Sequence, residues 1–510
     1  MSDRARSPSI RAQNAAPHDA YPVSSRADTS AGSDAFRAAW QIAAQVRSGV
    51  LRAERVVEDA VARIRALNPT LNAFTDLTRD RALEEARELD RRREQGELLP
   101  PLAGVPFAVK NLLSIKGLTT RAGSRIERES APASQDAELI CRWTRSGAVL
   151  LGALHMGEYA YDFTGENAHD GACRNPHDPE HMSGGSSSGS AAAVASGLTP
   201  LSLGSDTNGS IRVPASFCGV FGLKPTYGRL TRHGSFPFCD SLDHLGPLAR
   251  CPRDLSLAYD ALQGADPRDP ACSSRAPDPT GPLLDAGIDG RRVAVATGYF
   301  GTRGLPAVES AITVAARALG AEREIEVPGA EAGRAAAFLI TNAESGALHL
   351  SRLRMRAHDF DPDTRDRFLA GALLPASWYV HAQRVRRAYA TAVLAIFERG
   401  IDLIVAPATP CCAPRLGQRH LELRGERVLL RPNLGLFTQP ISCIGLPVVA
   451  APIESGSRLP IGVQLIAPPW REDLCLRAAE LLWRSGAARA RVPPGIDPQD
   501  SPSGPNAALD

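Results

Sequence analysis

The sequence predicts a layered α/β protein, in which helices flank a large sheet. Two observations predict this class. Short, continuous apolar runs such as PFAVK at 106–110 are typical of strands buried on both faces, because a strand with one exposed face would alternate apolar and polar residues. Amphipathic helical segments alternate with these runs along the chain, as they do in proteins whose sheets are covered by helices. The pattern leaves the direction of the strands open.

Three helices are predicted to open the ordered part of the chain. Ser33 or Asp34 is expected to cap the first, whose apolar residues recur at helical spacing. The second, at 54–69, is expected to end before Pro69, because proline lacks the N–H that a helix interior needs. The third, at 79–96, carries many charges, which indicates a solvated face.

The later elements are predicted from the same two patterns. Continuous apolar runs predict buried strands at 106–110, 148–154, 198–204, 293–298 and 402–407. Helical spacing predicts helices within 136–147, 310–320 and 380–400.

The composition excludes several classes of protein. Of the 510 residues 43% are hydrophobic, which is enough to form a core, so the chain as a whole is not disordered. The 58 basic and 56 acidic residues nearly cancel, which argues against nucleic acid as a partner. No apolar run reaches the roughly 18 to 20 residues that a membrane span requires, so no membrane association is expected.

The two ends of the chain are polar. Residues 1–34 and 493–510 are predicted to be disordered tails around a single domain at 35–492. The first tail lacks the apolar segment of a secretory signal, and the ten cysteines form no C-x-x-C pair. We therefore expect reduced thiols, most of them buried, and a cytoplasmic protein.

Glycine and serine concentrate in two neighbouring segments, GGSSSGSAAAVASG at 184–197 and LGSDTNGSIRVPAS at 203–216. A phosphate-binding loop would need the lysine of G-x-x-x-x-G-K-[ST] or the G-x-G-x-x-G pattern, and these segments have neither. A flexible connection would not need a second such loop, nor the acidic and basic residues of SDTNGSIR. A nucleophile site fits better, because the small residues before Ser210 allow several backbone N–H groups to point at one developing oxyanion.

A serine nucleophile also needs a base. Histidine is the usual one, but none of the eleven histidines stands in a recognisable catalytic context, and those before the loop, such as His155, are interpreted as surface or loop residues. Lys110 is the better candidate, because it ends the apolar run GVPFAVK and burial favours the neutral form of an amine.

These segments resemble the signature of the amidase signature family. GGSSSGSAAAVASGLTPLSLGSDTNGSIRVPAS is similar to that signature and GVPFAVKNLL to the family's lysine strand, and stretches such as FTQPISCIGLPVV extend the resemblance over most of the chain. It implies a large central mixed sheet with helices on both faces, and hydrolysis of a carbon–nitrogen amide bond. It also implies that neither a metal ion nor an organic cofactor is needed.

The resemblance assigns roles to residues of this sequence. Ser210 matches the nucleophile that becomes acylated, Ser186, 24 residues before it, matches the bridging serine, and Lys110 matches the base. The peptide bond before Ser186 is expected to be cis. The oxyanion is expected to be held by the backbone N–H groups of Thr207, Asn208, Gly209 and Ser210.

Three positions depart from the family's pattern. Asn208 and Ser188 stand where the family usually has glycine, and Gly157 stands where an acidic residue is common. Asn208 places a side chain beside the predicted oxyanion loop, and we expect it either to restrict the acyl pocket or to add a hydrogen bond there. Arg212 is interpreted as a structural brace of the loop that carries Ser210.

Longer stretches, including LGSDTNGSIRVPASFCGVFGLKPTYGRL and LPIGVQLIAPPWREDL, are similar to one subgroup of the family. Its implied substrate is a small, planar, anionic, urea-like amide that releases ammonia, and its implied partner is a small helical stabilising subunit within a homo- or hetero-oligomer. The alternatives are the glutaminase subunit of a tRNA-dependent amidotransferase, a general amidase of small amides, and a catalytically silent scaffold. The intact Lys110, Ser186 and Ser210 argue against a silent scaffold. The sequence assigns no side chain to a substrate carboxylate.

Overall fold

The computed structural model describes residues 34–423 and 425–496. Its helices are α1 (Ala39–Ser48), α2 (Ala53–Leu71), α3 (Arg79–Glu94), α4 (Glu138–Arg145), α5 (Ser188–Ala195), α6 (Arg212–Cys218), α7 (Pro252–Asp260), α8 (Pro306–Ala318), α9 (Ala330–Leu348), α10 (Leu350–Arg356), α11 (Pro362–Ala372), α12 (Ala376–Glu398), α13 (Leu430–Leu434), α14 (Gln439–Cys443) and α15 (Glu472–Arg484). Its strands are β1 (Phe74–Leu77), β2 (Pro106–Lys110), β3 (Val149–Leu154), β4 (Glu166–Asn167), β5 (Gly171–Ala172), β6 (Arg174–Asn175), β7 (Asp178–Met182), β8 (Leu201–Asp206), β9 (Phe221–Lys224), β10 (His244–Ala249), β11 (Val293–Thr297), β12 (Arg323–Glu326), β13 (Leu403–Pro407), β14 (His420–Leu423), β15 (Glu426–Leu429), β16 (Val448–Pro452) and β17 (Gly462–Ile466).

The described residues form one large sheet of eleven strands, in the order β1-β3-β2-β8-β10-β9-β16-β17-β13-β11-β12. Strand directions are mixed. β2 is parallel to β3 and to β8, and β11 is parallel to β12 and to β13. The pairs that join β8 to β17 through the middle of the sheet are all antiparallel. The expected large mixed central sheet is confirmed.

The buried side chains of β13 alternate between two apolar clusters. Leu403 and Val405 pack in a cluster that includes residues of α2, α7 and α15. Ile404 and Ala406 pack in a second cluster with residues of α9 and α12. Because successive side chains of a strand point to opposite faces, the two clusters lie on opposite sides of the sheet. Helices therefore cover both faces, as the sequence predicts.

The five predicted strands are confirmed as β2, β3, β8, β11 and β13. The predicted start of the first helix is wrong. α1 begins at Ala39, where the two carboxylate oxygens of Asp254 accept the N–H groups of Ala39 and Trp40 at 2.8 and 2.9 Å. Asp34 lies in a preceding 3-10 turn, and Ser33 lies outside the described residues. The cap comes from a residue far along the chain, so the local sequence does not show it.

The predicted end of the second helix is also wrong, because α2 continues through Pro69 to Leu71. A proline removes one helical hydrogen bond, and here the loss falls in the last turn of the helix. Asn72 then ends the helix in the left-handed conformation, with φ of 52° and its N–H donated to the carbonyl of Asn68.

The cysteines are distributed as the sequence predicts. All ten are free thiols, and seven of them are buried. Among the described residues, no helix combines the length and the apolar composition that crossing a membrane would require. The tails predicted at 1–34 and 493–510 lie almost entirely outside the described residues.

Candidate active site

Lys110 is the last residue of β2 and is completely buried. Its Nζ donates hydrogen bonds to the Oγ atoms of Ser186 and Ser205, at 2.6 and 2.8 Å. Burial lowers the pKa of Lys110 to about 7, although the carboxylates of Asp206, Asp243 and Asp162 oppose this shift. The amine can therefore be neutral near neutral pH and accept a proton from a serine hydroxyl.

The segment that carries Ser186 lies immediately before α5, and the Gly185–Ser186 peptide bond is cis, as expected. The next residue connects this segment to two others. The N–H of Ser187 donates to the carbonyl of Ser210 at 3.2 Å, and its Oγ donates to the carbonyl of Ser205 at 3.0 Å. The structure thus brings Lys110 and Ser186 into direct contact and joins the backbones around Ser186 and Ser210.

Ser210 follows a turn that connects β8 to α6. Gly209 has φ of 137°, and a Cβ atom there would lie 2.1 Å from Oγ1 of Thr438, so the position requires glycine. Arg212 and Asp206, both buried, support the turn from inside. The guanidinium donates from Nε and Nη2 to the two carboxylate oxygens, each at 2.9 Å, and from Nη1 to the carbonyl of Thr438.

This ion pair confirms Arg212 as a structural brace. The nearby Arg212 guanidinium holds the pKa of the Asp206 carboxyl below its usual range, against the opposing effect of burial. The ionised carboxylate in turn accepts the N–H of Gly209 at 2.7 Å and that of Ile211 at 3.1 Å. A buried pair with several further hydrogen bonds fixes the geometry of the turn that presents Ser210.

One of the four predicted oxyanion donors, the N–H of Gly209, is wrong. Because the N–H of Gly209 donates to Asp206, it is already engaged inside the protein. The N–H groups of Thr207, Asn208 and Ser210 make no hydrogen bond to another described residue. Three of the four predicted amides thus remain unpaired beside the Ser210 hydroxyl.

A narrow cavity opens beside Ser210. One wall is the turn of Thr207, Asn208 and Ser210. The remaining lining combines aromatic rings with a few polar side chains: Ala160, Tyr161, Asp162, Phe163, Phe238, Phe338, Thr341, Arg367, Pro432 and Gln439.

Two polar residues of this site are not predicted from the sequence. Ser205, near the end of β8, is the second hydroxyl that Lys110 contacts. Arg367, on α11, places a guanidinium in the cavity wall 5.1 Å from the ring centre of Tyr161, and it forms no ion pair with a described carboxylate. Ser205 could be found from the sequence, because in SLGSD it stands one residue before Asp206, within the segment that leads to Ser210. Nothing in the local sequence distinguishes Arg367 from Arg365, the other arginine of its helix.

The two remaining departures from the family's pattern have local explanations. A Cβ atom on Gly157 would lie 2.7 Å from Cβ of Asp162, so the side chain of Asp162 occupies the space that a residue at 157 would need. Ser188 donates to the carbonyl of His155 at 3.2 Å and contacts its ring at 2.8 Å. His155 lies in the loop after β3 but is completely buried, and burial lowers its pKa.

Comparisons with known proteins agree with this geometry. The family model for amidases matches residues 55–476. AtzE of Pseudomonas sp. (strain ADP), which is part of 1-carboxybiuret hydrolase, is 54% identical over 448 residues, which cover 88% of this chain and 98% of that protein. One component of the glutamyl-tRNA(Gln) amidotransferase of Chloroflexus aurantiacus (strain ATCC 29366 / DSM 635 / J-10-fl) is 35% identical, over 86% of this chain and 95% of its own length.

Solved structures show the same similarity. One, of a vestigial protein complex that reveals the evolutionary origins of an s-triazine catabolic enzyme, superposes with a TM-score of 0.88 and 53% identity, covering 89% of this chain and 100% of that one. Another, of 6-aminohexanoate cyclic dimer hydrolase complexed with substrate, has a TM-score of 0.80 and 29% identity, covering 91% and 99% of the two chains.

Proposed function

Because the chain belongs to the amidase signature family, whose members hydrolyse carbon–nitrogen bonds of amides, we propose that it does so through Ser210, Ser186 and Lys110. The observation that carries this proposal is the contact of 2.6 Å between Lys110 and Ser186, made by a buried amine whose pKa lies at about 7. A lysine that is charged at neutral pH could not accept a proton, so burial supplies the base that the reaction needs.

In the first half of the reaction the Ser210 hydroxyl attacks the amide carbon. Its proton passes to Ser186, whose own proton passes to neutral Lys110, while the bond between Ser210 Oγ and carbon forms. The negative oxygen of the tetrahedral intermediate accepts hydrogen bonds from the N–H groups of Thr207, Asn208 and Ser210. As the C–N bond breaks, the protonated Lys110 returns its proton through Ser186 to the leaving nitrogen, which departs as ammonia.

In the second half water attacks the acyl group on Ser210. The water gives one proton through Ser186 to Lys110, and its oxygen forms the new bond to carbon. The bond to Ser210 Oγ then breaks, and the serine recovers the proton through the same relay. The products are a carboxylic or carbamic acid and ammonia, and the three residues return to their starting protonation states.

For the substrate we propose 1-carboxybiuret, with release of ammonia from its amide end. The 54% identity to AtzE, which is part of 1-carboxybiuret hydrolase, supports this choice. The guanidinium of Arg367 in the cavity wall, which forms no ion pair with a described carboxylate, supports it independently, because a small anionic substrate needs a cation within an otherwise largely apolar pocket. The overall charge of +2 is too small to attract an anion to the site by a long-range field.

A panel of candidate substrates tests this assignment. We expect the purified chain to release ammonia from 1-carboxybiuret with a kcat/KM well above that for glutamine or for a neutral aliphatic amide. A preference for glutamine would instead support the glutaminase alternative, and equal rates on all three would support a general amidase. The panel is run with and without any small protein encoded beside this chain, so that a missing partner is not mistaken for missing activity.

Arg367 offers a sharper test of the anionic substrate. We expect Arg367→Gln to raise KM for 1-carboxybiuret about tenfold to a hundredfold, because a hydrogen bond to a charged group contributes roughly 1.5–3 kcal/mol. KM for biuret, which lacks the carboxylate, should change by less than about twofold. Arg365→Gln is the matched control, since Arg365 lies on the same helix and pairs with Asp366. A parallel loss for both substrates would contradict the proposed role of Arg367.

We also propose that residues 35–492 form one domain and that a small helical subunit stabilises it, in a homo- or hetero-oligomer. The eleven-stranded sheet, which joins strands from β1 to β17, supports a single domain. A partner is supported by the relative solved as a protein complex and by large apolar side chains exposed on the segment from α10 to α12: Met355, Leu373, Trp378 and Val380. The ten free cysteines support a cytoplasmic location.

A further inference from the structure

Asn208 leaves a buried hydrogen-bond acceptor without a partner in the wall of the active-site cavity. The residue as a whole is only 6% exposed, and it lines the cavity beside Ser210. Oδ1 has no hydrogen-bond partner among the described residues. A buried carbonyl oxygen in this state is unfavourable unless a ligand or water supplies a donor.

The side chain is held in a defined orientation. Its Nδ2 donates to Oγ1 of Thr341 on α9 at 2.8 Å, which fixes the orientation of the amide group. Its backbone is held separately, because Oγ1 of Thr438 donates to the carbonyl of Asn208 at 2.7 Å. The left-handed conformation of this turn falls on Gly209, so Asn208 is not required for the backbone of the turn.

We propose that Asn208 is a specificity-determining residue, whose Oδ1 accepts the N–H that adjoins the scissile carbonyl of a urea-type substrate. The inference rests on the proposed function, because it takes Ser210 as the nucleophile. A urea differs from a simple carboxamide by an N–H in place of CH₂ on the second side of the carbonyl. Asn208 lies two residues before Ser210, and both residues line the same cavity, so one bound substrate can meet both.

The chemistry favours this donor over the other groups of an anionic substrate. A carboxylate or a carbonyl oxygen has no hydrogen to give to Oδ1, and would be repelled by it. The carboxylate of the substrate would instead bind Arg367 on α11. The developing oxyanion would accept hydrogen bonds from the backbone N–H groups beside Ser210. The cavity thus offers a cation, an acceptor that has no described partner, and a set of N–H donors, a combination that complements an anionic urea. A simple carboxamide would place a CH₂ group opposite Oδ1 and leave this acceptor unpaired. The site should therefore bind a urea-type substrate more tightly than the corresponding carboxamide.

Two isosteric anions test the proposal directly. Hydantoate and succinamate have the same length and carboxylate, but hydantoate has an N–H beside its terminal carboxamide carbonyl where succinamate has CH₂. Their dissociation constants are measured by calorimetry in a Ser210→Ala background, where neither is turned over. We expect hydantoate to bind about tenfold more tightly, and Asn208→Gly to abolish that ratio. Glycine is a suitable replacement because the turn does not depend on the asparagine side chain.

Thr341 provides matched control variants. Thr341→Val removes the group that orients Asn208 and should reduce the ratio, whereas Thr341→Ser keeps the hydroxyl and should preserve it. A ratio that survives Asn208→Gly would overturn the proposal, as would equal binding of the two anions to the chain with Asn208 present or no binding of either. Those outcomes concern the acceptor alone. Failure of the proposed function would appear separately, as undiminished ammonia release by the Ser210→Ala chain.

Discussion

Replacement of Ser210 by alanine should abolish ammonia release while the fold remains intact. The hydroxyl is the only group that forms a covalent bond to the substrate in the proposed mechanism, and nucleophile removal in serine hydrolases costs at least about 10⁴-fold in kcat. The side chain is small and faces the cavity, so the free energy of unfolding should change little. The measurement is kcat on 1-carboxybiuret, with the thermal midpoint and circular dichroism as the test of folding.

Ser202 provides a control for the Ser210 variant. It is a buried serine of the neighbouring strand β8, and its hydroxyl donates to the carbonyl of Ser190, away from the cavity. We expect Ser202→Ala to retain most of the activity, with at most a small loss of stability. Retention of more than about 10% of the activity by Ser210→Ala would show that another group attacks the substrate.

Lys110 should determine the acid side of the pH profile. Its pKa is lowered to about 7 by burial, and only the neutral amine can accept a proton. Below that pH the protonated fraction rises, so kcat/KM should fall tenfold per pH unit; above it, kcat/KM should reach a plateau. Lys110→Arg should lose about 10³-fold or more at every pH, because a guanidinium stays protonated throughout this range. The measurement is the pH dependence of kcat/KM for both proteins.

Lys224 must be distinguished from Lys110, because burial lowers its pKa to about 7 as well. Its Nζ donates to the backbone carbonyls of Pro225 and Leu446 and contacts neither active-site serine. Lys224→Met, once shown to fold, should therefore still show the decrease of kcat/KM below about pH 7. If the decrease of kcat/KM at low pH disappeared in Lys224→Met but persisted in Lys110→Arg, Lys110 would be excluded as the base.

The residues that the sequence reveals are those with a local signature. Lys110 ends a continuous apolar run, and Ser186 and Ser210 lie in segments of small residues that no ordinary loop needs. Strand β10 is not predicted, because Gly246 and Pro247 interrupt its apolar run and local propensity assigns that pair to a turn. Inside a sheet that is covered on both faces, tertiary packing overrides that preference.

The residues that the sequence does not reveal act through distant contacts. Asp254 caps α1 across 215 positions, and Arg367 reaches the cavity of Ser210 from α11. Asn208 is recognisable as a departure from the family's pattern, but its unpaired Oδ1 depends on Thr341, 133 positions away. Periodicity and motif spacing describe neighbours along the chain, so the side chains that select a substrate become visible only when the fold brings separate elements together.

The most direct test of the mechanism is to locate the acyl group on the chain. Phenyl carbamate transfers its carbamoyl group to an activated serine and releases phenol, leaving a slowly hydrolysed adduct that mass spectrometry of the digested protein can assign to one residue. We predict a single adduct on Ser210, absent from Ser210→Ala and formed far more slowly by Lys110→Arg. An adduct on Ser186 or Ser205, or one that forms at the same rate in Lys110→Arg, would contradict Ser210 as the nucleophile that the buried lysine activates.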